Sequence, residues 1–257
     1  MQMKIIKHIQ SWQKLRSELG ASKTLGVVMT MGALHQGHLS LIQQSQQDND
    51  YTLVTLFINP AQFNDQNDFI NYPDTFAEDI KLLKNAGVDF VLTPSKEEIY
   101  NDNYNYQIHE KHFSKMLCGQ SRPGHFDGVL TVVMKFLQLA QVHKAYFGEK
   151  DYQQLKLIQG MAKAFFIPTE IVACPIVRDD HGLAYSSRNL RLSDQARKKA
   201  NTFAKIIRQY KDLDQAKQAL MDENINIDYL EEHFSRRFAA VNINNIRLID
   251  NTVLNDN

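Results

Sequence analysis

Between residue 25 and about residue 175, short apolar and β-branched runs alternate with longer stretches whose apolar positions recur every three or four residues. The short runs at 25–30, 52–58, 89–92, 144–147 and 170–173 predict strands. They lack strict alternation, as expected of parallel strands covered on both faces. The longer stretches predict helices over 39–47, 76–86, 129–140 and 152–165, the last with Leu155, Ile158, Met161, Ala162 and Phe165 on one face. Gly87 suits a left-handed cap after the second of these, and Pro168 cannot continue the fourth. From Ser193 the texture becomes charged and helical, ending in a possible strand over 246–249. The pattern predicts an α/β fold: a Rossmann-like parallel sheet with helices on both faces over 1–176, and a smaller α+β C-terminal domain over 177–257.

Composition narrows the partners. The 257 residues are 43% hydrophobic and 23% charged, which places the chain among proteins that bury a core and away from disordered ones. With 29 basic and 29 acidic side chains, no net field draws it to nucleic acid or to an anionic membrane, so a phosphate ligand needs a local site. Cys118 and Cys174 are too few for a disulfide framework and lack metal-ligand spacing; they read as small apolar fillers in a reducing compartment. No stretch approaches the ~20 apolar residues of a membrane span, and the N-terminus has no signal-like run. A cytoplasmic protein is expected.

Candidate chemistry collects at the ends of the predicted strands. Thr30 to His38 reads T-M-G-A-L-H-Q-G-H, a glycine turn from strand to helix that places backbone N–H groups and a helix N-terminus at the carboxyl edge of the sheet, where phosphates bind. His35 and His38 can donate hydrogen bonds there and offset charge building on an α-phosphorus. F-I-N-P-A-Q-F-N, Phe57 to Asn64, offers the neutral amide of Gln62, which can hold a hydroxy acid without suppressing its nucleophilicity. Read alone, it is a loop with an Asn-Pro turn. S-R-P-G-H-F-D-G-V, from Ser121, is a polar approach to a helix; Arg122 and His125 could touch ligand or only order the loop, and they are left outside the catalytic set. In Y-F-G-E-K-D-Y-Q-Q-L, from Tyr146, Lys150 is a compact cation able to follow migrating phosphate charge, and Gln154 points from the first helical turn. In A-Y-S-S-R-N, from Ala184, Ser186, Ser187 and Arg188 combine two hydroxyls with a planar cation, which suits the β- and γ-phosphates of a nucleotide.

H-x-G-H after the first strand resembles the nucleotidyltransferase superfamily related to class I aminoacyl-tRNA synthetases. T-M-G-A-L-H-Q-G-H-L-S-L-I, F-I-N-P-A-Q-F, S-R-P-G-H-F-D-G-V, F-G-E-K-D-Y-Q-Q-L and S-S-R-N are, in order and spacing, similar to the signatures of the pantothenate synthetase family. They cover most of residues 25 to 193. The resemblance implies a ligase that uses ATP, with Mg²⁺, to activate pantoate as its acyl-adenylate and then transfers the pantoyl group to β-alanine. It implies ATP contacts at Met31, Gly32, Ala33, Leu34, His35, Gln36, Gly37, His38, Gly148, Glu149, Lys150, Asp151, Val177, Tyr185, Ser186, Ser187 and Arg188. It also implies pantoate contacts at Gln62 and Gln154, catalysis by His38, His35 and Lys150, and a homodimer. No metal-ligating residue is assigned. Two departures stand out: Met29 where the family has proline, expected to alter the turn, and Tyr185 where it has methionine, expected to change adenine packing. The H-x-G-H turn alone would equally suit a nucleotidyltransferase acting on a phosphate acceptor. A nucleotide-binding regulator without turnover fits less well with Lys150 and Ser186 to Arg188 in place.

Overall fold

A computed structural model describes residues 2–20, 22–64 and 66–254. The first part of the chain runs β1 (Lys4–Ile6), α1 (Ile9–Glu18), β2 (Leu25–Thr30), α2 (Gln36–Asp48), β3 (Tyr51–Leu56), α3 (Gln66–Ile70), α4 (Phe76–Asn85) and β4 (Phe90–Leu92). It continues through α5 (Lys96–Ile99), α6 (Cys118–Ser121), α7 (His125–Ala140), β5 (Lys144–Gly148), α8 (Tyr152–Ala164) and β6 (Glu170–Cys174). The last part holds α9 (Asp194–Gln209), α10 (Leu213–Asp222), β7 (Asn226–His233), β8 (Arg236–Ile243) and β9 (Ile246–Val253).

Strands β1 to β6 form one parallel sheet in the order β1-β4-β3-β2-β5-β6. Along β2, Val27 enters the core shared with α7 and α8, while its neighbour Val28 enters the core beneath α2 and α4. Both side chains are fully buried, which is why this strand reads as a continuous apolar run. The predicted helices are present, with two starting earlier than their apolar periodicity. α2 begins at Gln36, and α7 begins at His125, directly after Gly124 in the left-handed conformation. Gly87 (φ +73°) follows α4 as anticipated, with the Val88 N–H donating back to the Leu83 carbonyl. α8 ends before Pro168, where Phe166 takes the left-handed conformation and the Ile167 N–H reaches the Ala162 carbonyl.

The C-terminal region carries more strand than its pattern predicts: β7, β8 and β9 form an antiparallel sheet, against which α9 and α10 bury Phe203, Ile207 and Leu220. Among the described residues no helix is long and apolar enough to cross a membrane.

Candidate active site

Strand order places the site. From β2 the chain moves to β3 on one side, and β5 pairs with β2 on the other, so the loops leaving β2 and β5 diverge around a crevice at their carboxyl ends. A cavity of about 250 Å³ lies there. Its lining includes His35 and His38 after β2, Gln62 after β3, Lys150 and Gln154 after β5, and Tyr185 to Arg188.

The turn after β2 is built around an internal carboxylate. Gly32 (φ +81°) and Ala33 (φ +50°) are both left-handed, which turns successive N–H groups toward one point. Asp79, buried at the start of α4, fills that point: it accepts from the Ala33 N–H at 2.9 Å, the Leu34 N–H at 2.8 Å and the Thr75 hydroxyl at 3.0 Å. The turn's own anion site is therefore closed to a phosphate, and the imidazoles face the cavity instead. His35 and His38 stack with ring centroids 4.0 Å apart. The His35 N–H donates to His38 Nδ1 at 3.3 Å, which requires a lone pair on Nδ1 and leaves the proton of a neutral ring on Nε2. Burial, then the neighbouring His35 and Lys150, hold the His38 pKa well below its ordinary value. Burial and Lys150 bring His35 down to about 4. Both rings are neutral at pH 7. His35 Nδ1 is buried with no hydrogen-bond partner among the described residues. A Cβ at Gly37 would lie 3.0 Å from the His35 ring, close enough that the ring would have to give by a few tenths of an ångström.

Gln62 is oriented by a relay. The Tyr100 hydroxyl donates to Asn59 Oδ1, fixing the Asn59 amide so that its Nδ2 donates to Gln62 Oε1 at 3.0 Å and to the Gly128 carbonyl at 3.2 Å. The acceptor half of the Gln62 amide is thus engaged, and its N–H₂ end donates to Met31 Sδ at 3.0 Å at the cavity wall, with its second hydrogen left for a ligand. The backbone carbonyl of Gln62 accepts from His125 Nδ1 at 2.8 Å and Arg122 Nη2 at 3.1 Å, while His125 Nε2 accepts from Arg122 Nη1 at 3.0 Å. These bonds fix His125 as the neutral Nδ1–H tautomer. Burial, reinforced by the Arg122 charge, takes its pKa to about 3.

The two glutamines at the start of α8 divide by helical geometry. Gln153 turns inward, where its Nε2 donates to the Phe113 and Met116 carbonyls, and Gln154 lines the cavity. Lys150 Nζ lies 3.6 Å from Asp151 Oδ1. Across the cavity, Arg188 pairs with Asp68 at 2.6 Å and the Ser187 hydroxyl meets the Tyr72 hydroxyl at 3.3 Å. Val129, Val132, Val133 and Phe136, all of α7, and Phe57 add apolar lining.

Of the residues anticipated from sequence, Met31, His35, Gly37, His38, Gln62, Gly148, Lys150, Asp151, Gln154, Val177, Tyr185, Ser186, Ser187 and Arg188 line this one cavity. Gly32, Ala33, Leu34, Gln36 and Glu149 do not. The backbone of Ala33 and Leu34 faces Asp79, and Glu149 pairs with Arg236 at 2.7 Å. Met29 continues β2 in register with Thr55 and lines the cavity, so the departure from proline falls on the strand and wall and not on the turn. Cys118 contacts the Tyr229 hydroxyl at 3.1 Å and Arg247 at 3.6 Å, so it is more than an apolar filler. Sequence reasoning passed over Asn59, Tyr72, Tyr100 and Asp68, and left Arg122 and His125 outside the catalytic set. Asn59 alone carried a usable signal, lying three residues before Gln62 beside a proline.

Paired imidazoles, a lysine and a Ser-Ser-Arg loop around the switch point of a parallel sheet define a nucleotide-dependent transferase or ligase of the H-x-G-H class. The family described as pantoate-beta-alanine ligase matches residues 4–253. A pantothenate synthetase of Legionella pneumophila is 48% identical over 252 residues, covering 98% of this chain and 100% of the relative. One from Coxiella burnetii is also 48% identical, over 96% of each. The solved pantoate-beta-alanine ligase of Francisella tularensis, complexed with β-γ ATP and β-alanine, superposes with a TM-score of 0.95 at 39% identity over 99% of both chains. The Thermus thermophilus pantothenate synthetase superposes at 0.91 and 33%, over 99% of this chain and 100% of that one. The chain belongs to the pantoate-beta-alanine ligase family.

Proposed function

We propose that this chain condenses pantoate with β-alanine at the expense of ATP, through a pantoyl-adenylate formed in the cavity between β2 and β5. The observation that carries the reading is the convergence of neutral His35 and His38, Lys150, Gln62 and Gln154 on one cavity that also has apolar lining. Pantoate is a hydroxy acid with a gem-dimethyl carbon. The Gln62 N–H₂ and Gln154 suit its oxygens, and the valines of α7 with Phe57 suit its methyls.

In the first step the pantoate carboxylate attacks the α-phosphorus, forming the acyl–O–P bond as the bond to pyrophosphate breaks. His38, neutral with its proton on Nε2, donates a hydrogen bond to the phosphate oxygens. Lys150 follows the charge that moves onto the pyrophosphate. In the second step the β-alanine amine attacks the acyl carbon, AMP leaves with the electrons of the C–O bond, and the amine loses a proton. Ser186, Ser187 and Arg188 hold the β- and γ-phosphates and shield the mixed anhydride from water.

Among the described residues no group of three or more His, Cys, Asp or Glu could cage a metal ion. Asp151 lines the cavity and would be the carboxylate there to help hold Mg²⁺ arriving on the nucleotide. Its contribution when bound is to neutralise phosphate charge.

Residues 1–176 serve as the nucleotide- and pantoate-binding domain and 177–257 as a lid. Separate hydrophobic clusters support that division. A cytoplasmic homodimer completes the proposal, with sedimentation at twice the chain mass as its check.

The test is pantoate-dependent exchange of labelled pyrophosphate into ATP, followed by AMP release on adding β-alanine. His38→Ala should lower exchange by about 10²-fold or more with the fold intact. Near-normal exchange in that variant would remove His38 from the mechanism.

A further inference from the structure

Lys150 stands on a short helical turn, Glu149–Asp151, between β5 and α8, and a side chain remote in sequence reaches two of the turn's carbonyls. They are held from the other end of the chain. Asn251 of β9, almost wholly buried, donates from Nδ2 to the carbonyl of Glu149 at 2.9 Å and to that of Lys150 at 3.0 Å. Its Oδ1 accepts from Arg236 Nη1 of β8. The amide cannot be reversed: a guanidinium only donates and two carbonyls only accept, so the partners dictate which end is nitrogen. Arg236, also buried, uses its other nitrogen on Glu149 at 2.7 Å and lies 4.2 Å over the Tyr152 ring. One step further, Asp250 takes both guanidinium nitrogens of Arg178, and Arg178 follows Val177 of the cavity wall.

We infer that Asn251 and Arg236 are positioning residues for Lys150, acting from the C-terminal sheet on the backbone of the turn that carries the lysine. This rests on the role given to Lys150 above. Neither residue lines the main cavity; Asn251 lines a smaller adjoining one that shares Lys150 with it, while its amide hydrogens are both spent on the backbone of the turn. Their effect lies in where Lys150 stands, and a displacement of about 1 Å from reacting geometry costs on the order of 10²-fold in rate. The same bonds explain why Glu149, in the middle of a signature block, faces away from the cavity.

Asn251→Asp is the sharp perturbation, because it keeps the shape and turns an oxygen toward two carbonyls. Full-length wild type, N251D, K150A and the double variant N251D/K150A are compared by the single-turnover rate of pantoyl-adenylate formation. Melting temperature and the KM values for ATP and pantoate are measured alongside. The expected result is a rate about 10²-fold lower in N251D with both KM values within a few-fold of wild type, and no further loss when N251D is added to K150A. Equal losses from N251D with and without Lys150 would mean a general structural role and overturn the inference. Should K150A itself adenylate normally, the reading of Lys150 fails, an outcome told apart by the single variant alone. If N251D does not fold, Arg236→Lys serves. It keeps a cation for Glu149 but lacks the planar fork that also reaches Asn251, and a rate about tenfold lower that vanishes in the K150A background is expected. A rate equal to wild type in R236K would overturn the inference equally.

Discussion

Replacing Asp79 should damage the turn that presents His35 and His38 from beneath. Its carboxylate is buried and receives the Ala33 and Leu34 N–H groups and the Thr75 hydroxyl at 2.8 to 3.0 Å. Hydrogen bonds to a charged acceptor contribute about 1.5–3 kcal/mol each, and a buried donor left unpaired costs about 1–3 kcal/mol. In Asp79→Ala the Leu34 N–H loses the partner described here. The Ala33 N–H retains a bond to Thr75 Oγ1 at 3.1 Å. The loss should therefore sit near one full bond plus part of a second, about 2–4 kcal/mol. Asp79→Asn has one oxygen for two backbone donors and should fall between Ala and wild type. Urea unfolding followed by fluorescence gives the stability change, and pyrophosphate exchange gives the functional one. Since two consecutive left-handed residues, one of them not glycine, depend on this carboxylate, exchange should fall at least tenfold even where D79A is folded. A stability loss below about 1 kcal/mol together with normal exchange would refute the argument that the turn is anchored on Asp79.

Three further outcomes follow from the site. Gly37→Ala improves helix propensity by about 1 kcal/mol yet puts a Cβ against the His35 ring, so stability should hold while exchange falls; an active G37A enzyme would show that the ring has room to move. Asn59→Asp removes the donor facing Gln62 Oε1, so the Gln62 amide should reverse and offer oxygen to the cavity; the pantoate KM should rise about tenfold or more with the ATP KM little changed, and equal rises in both would point to a general disturbance. His35, His38 and His125 all have folded-state pKa values below the unfolded 6.5, so the unfolded chain binds more protons and stability should decline as pH drops from 6.5 toward about 4 for His35 and about 3 for His125. Each histidine contributes at most about 1.4 kcal/mol per pH unit, and His125→Gln should flatten the urea-midpoint profile by up to one such share; an unchanged slope would rule out His125 as a contributor.

How much of this was legible in the sequence depends on the range of the interaction involved. β2 and β3 were readable because burial on both faces leaves a short, β-branched apolar run, whereas β6, an edge strand with only Cys174 buried, was readable from its brevity and its Ile-Val pair. β1, three residues long and largely exposed, leaves no such trace. β7 was hidden for a related reason: N-I-D-Y-L-E-E-H is mostly polar, and the turn to β8 is made by Phe234 and Ser235, both left-handed, where a hairpin signal would show Asn, Asp or Gly. By contrast, Asn244-Asn245 between β8 and β9 is a hairpin signal that could have been read. Within the site, the motif residues stand close in sequence to the strands that present them. Asp79 reaches the turn from 46 and 45 residues away, and Asn251 reaches the Lys150 turn from 102 and 101. No local pattern announces such contacts.

The close approach of α7 to the Asn59–Gln62 turn sets a limit on redesign. A Cβ at Gly128 would meet the Ala61 carbonyl at 2.3 Å and the Gln62 nitrogen at 2.8 Å, so helix and turn touch backbone to backbone. The Gln62 amide therefore rides on a turn packed directly against α7. On the proposed reading of Gln62, broadening the enzyme toward bulkier acids would proceed by trimming Val132, Val133 or Phe57, one wall at a time, while the turn beneath Gln62 stays as it is.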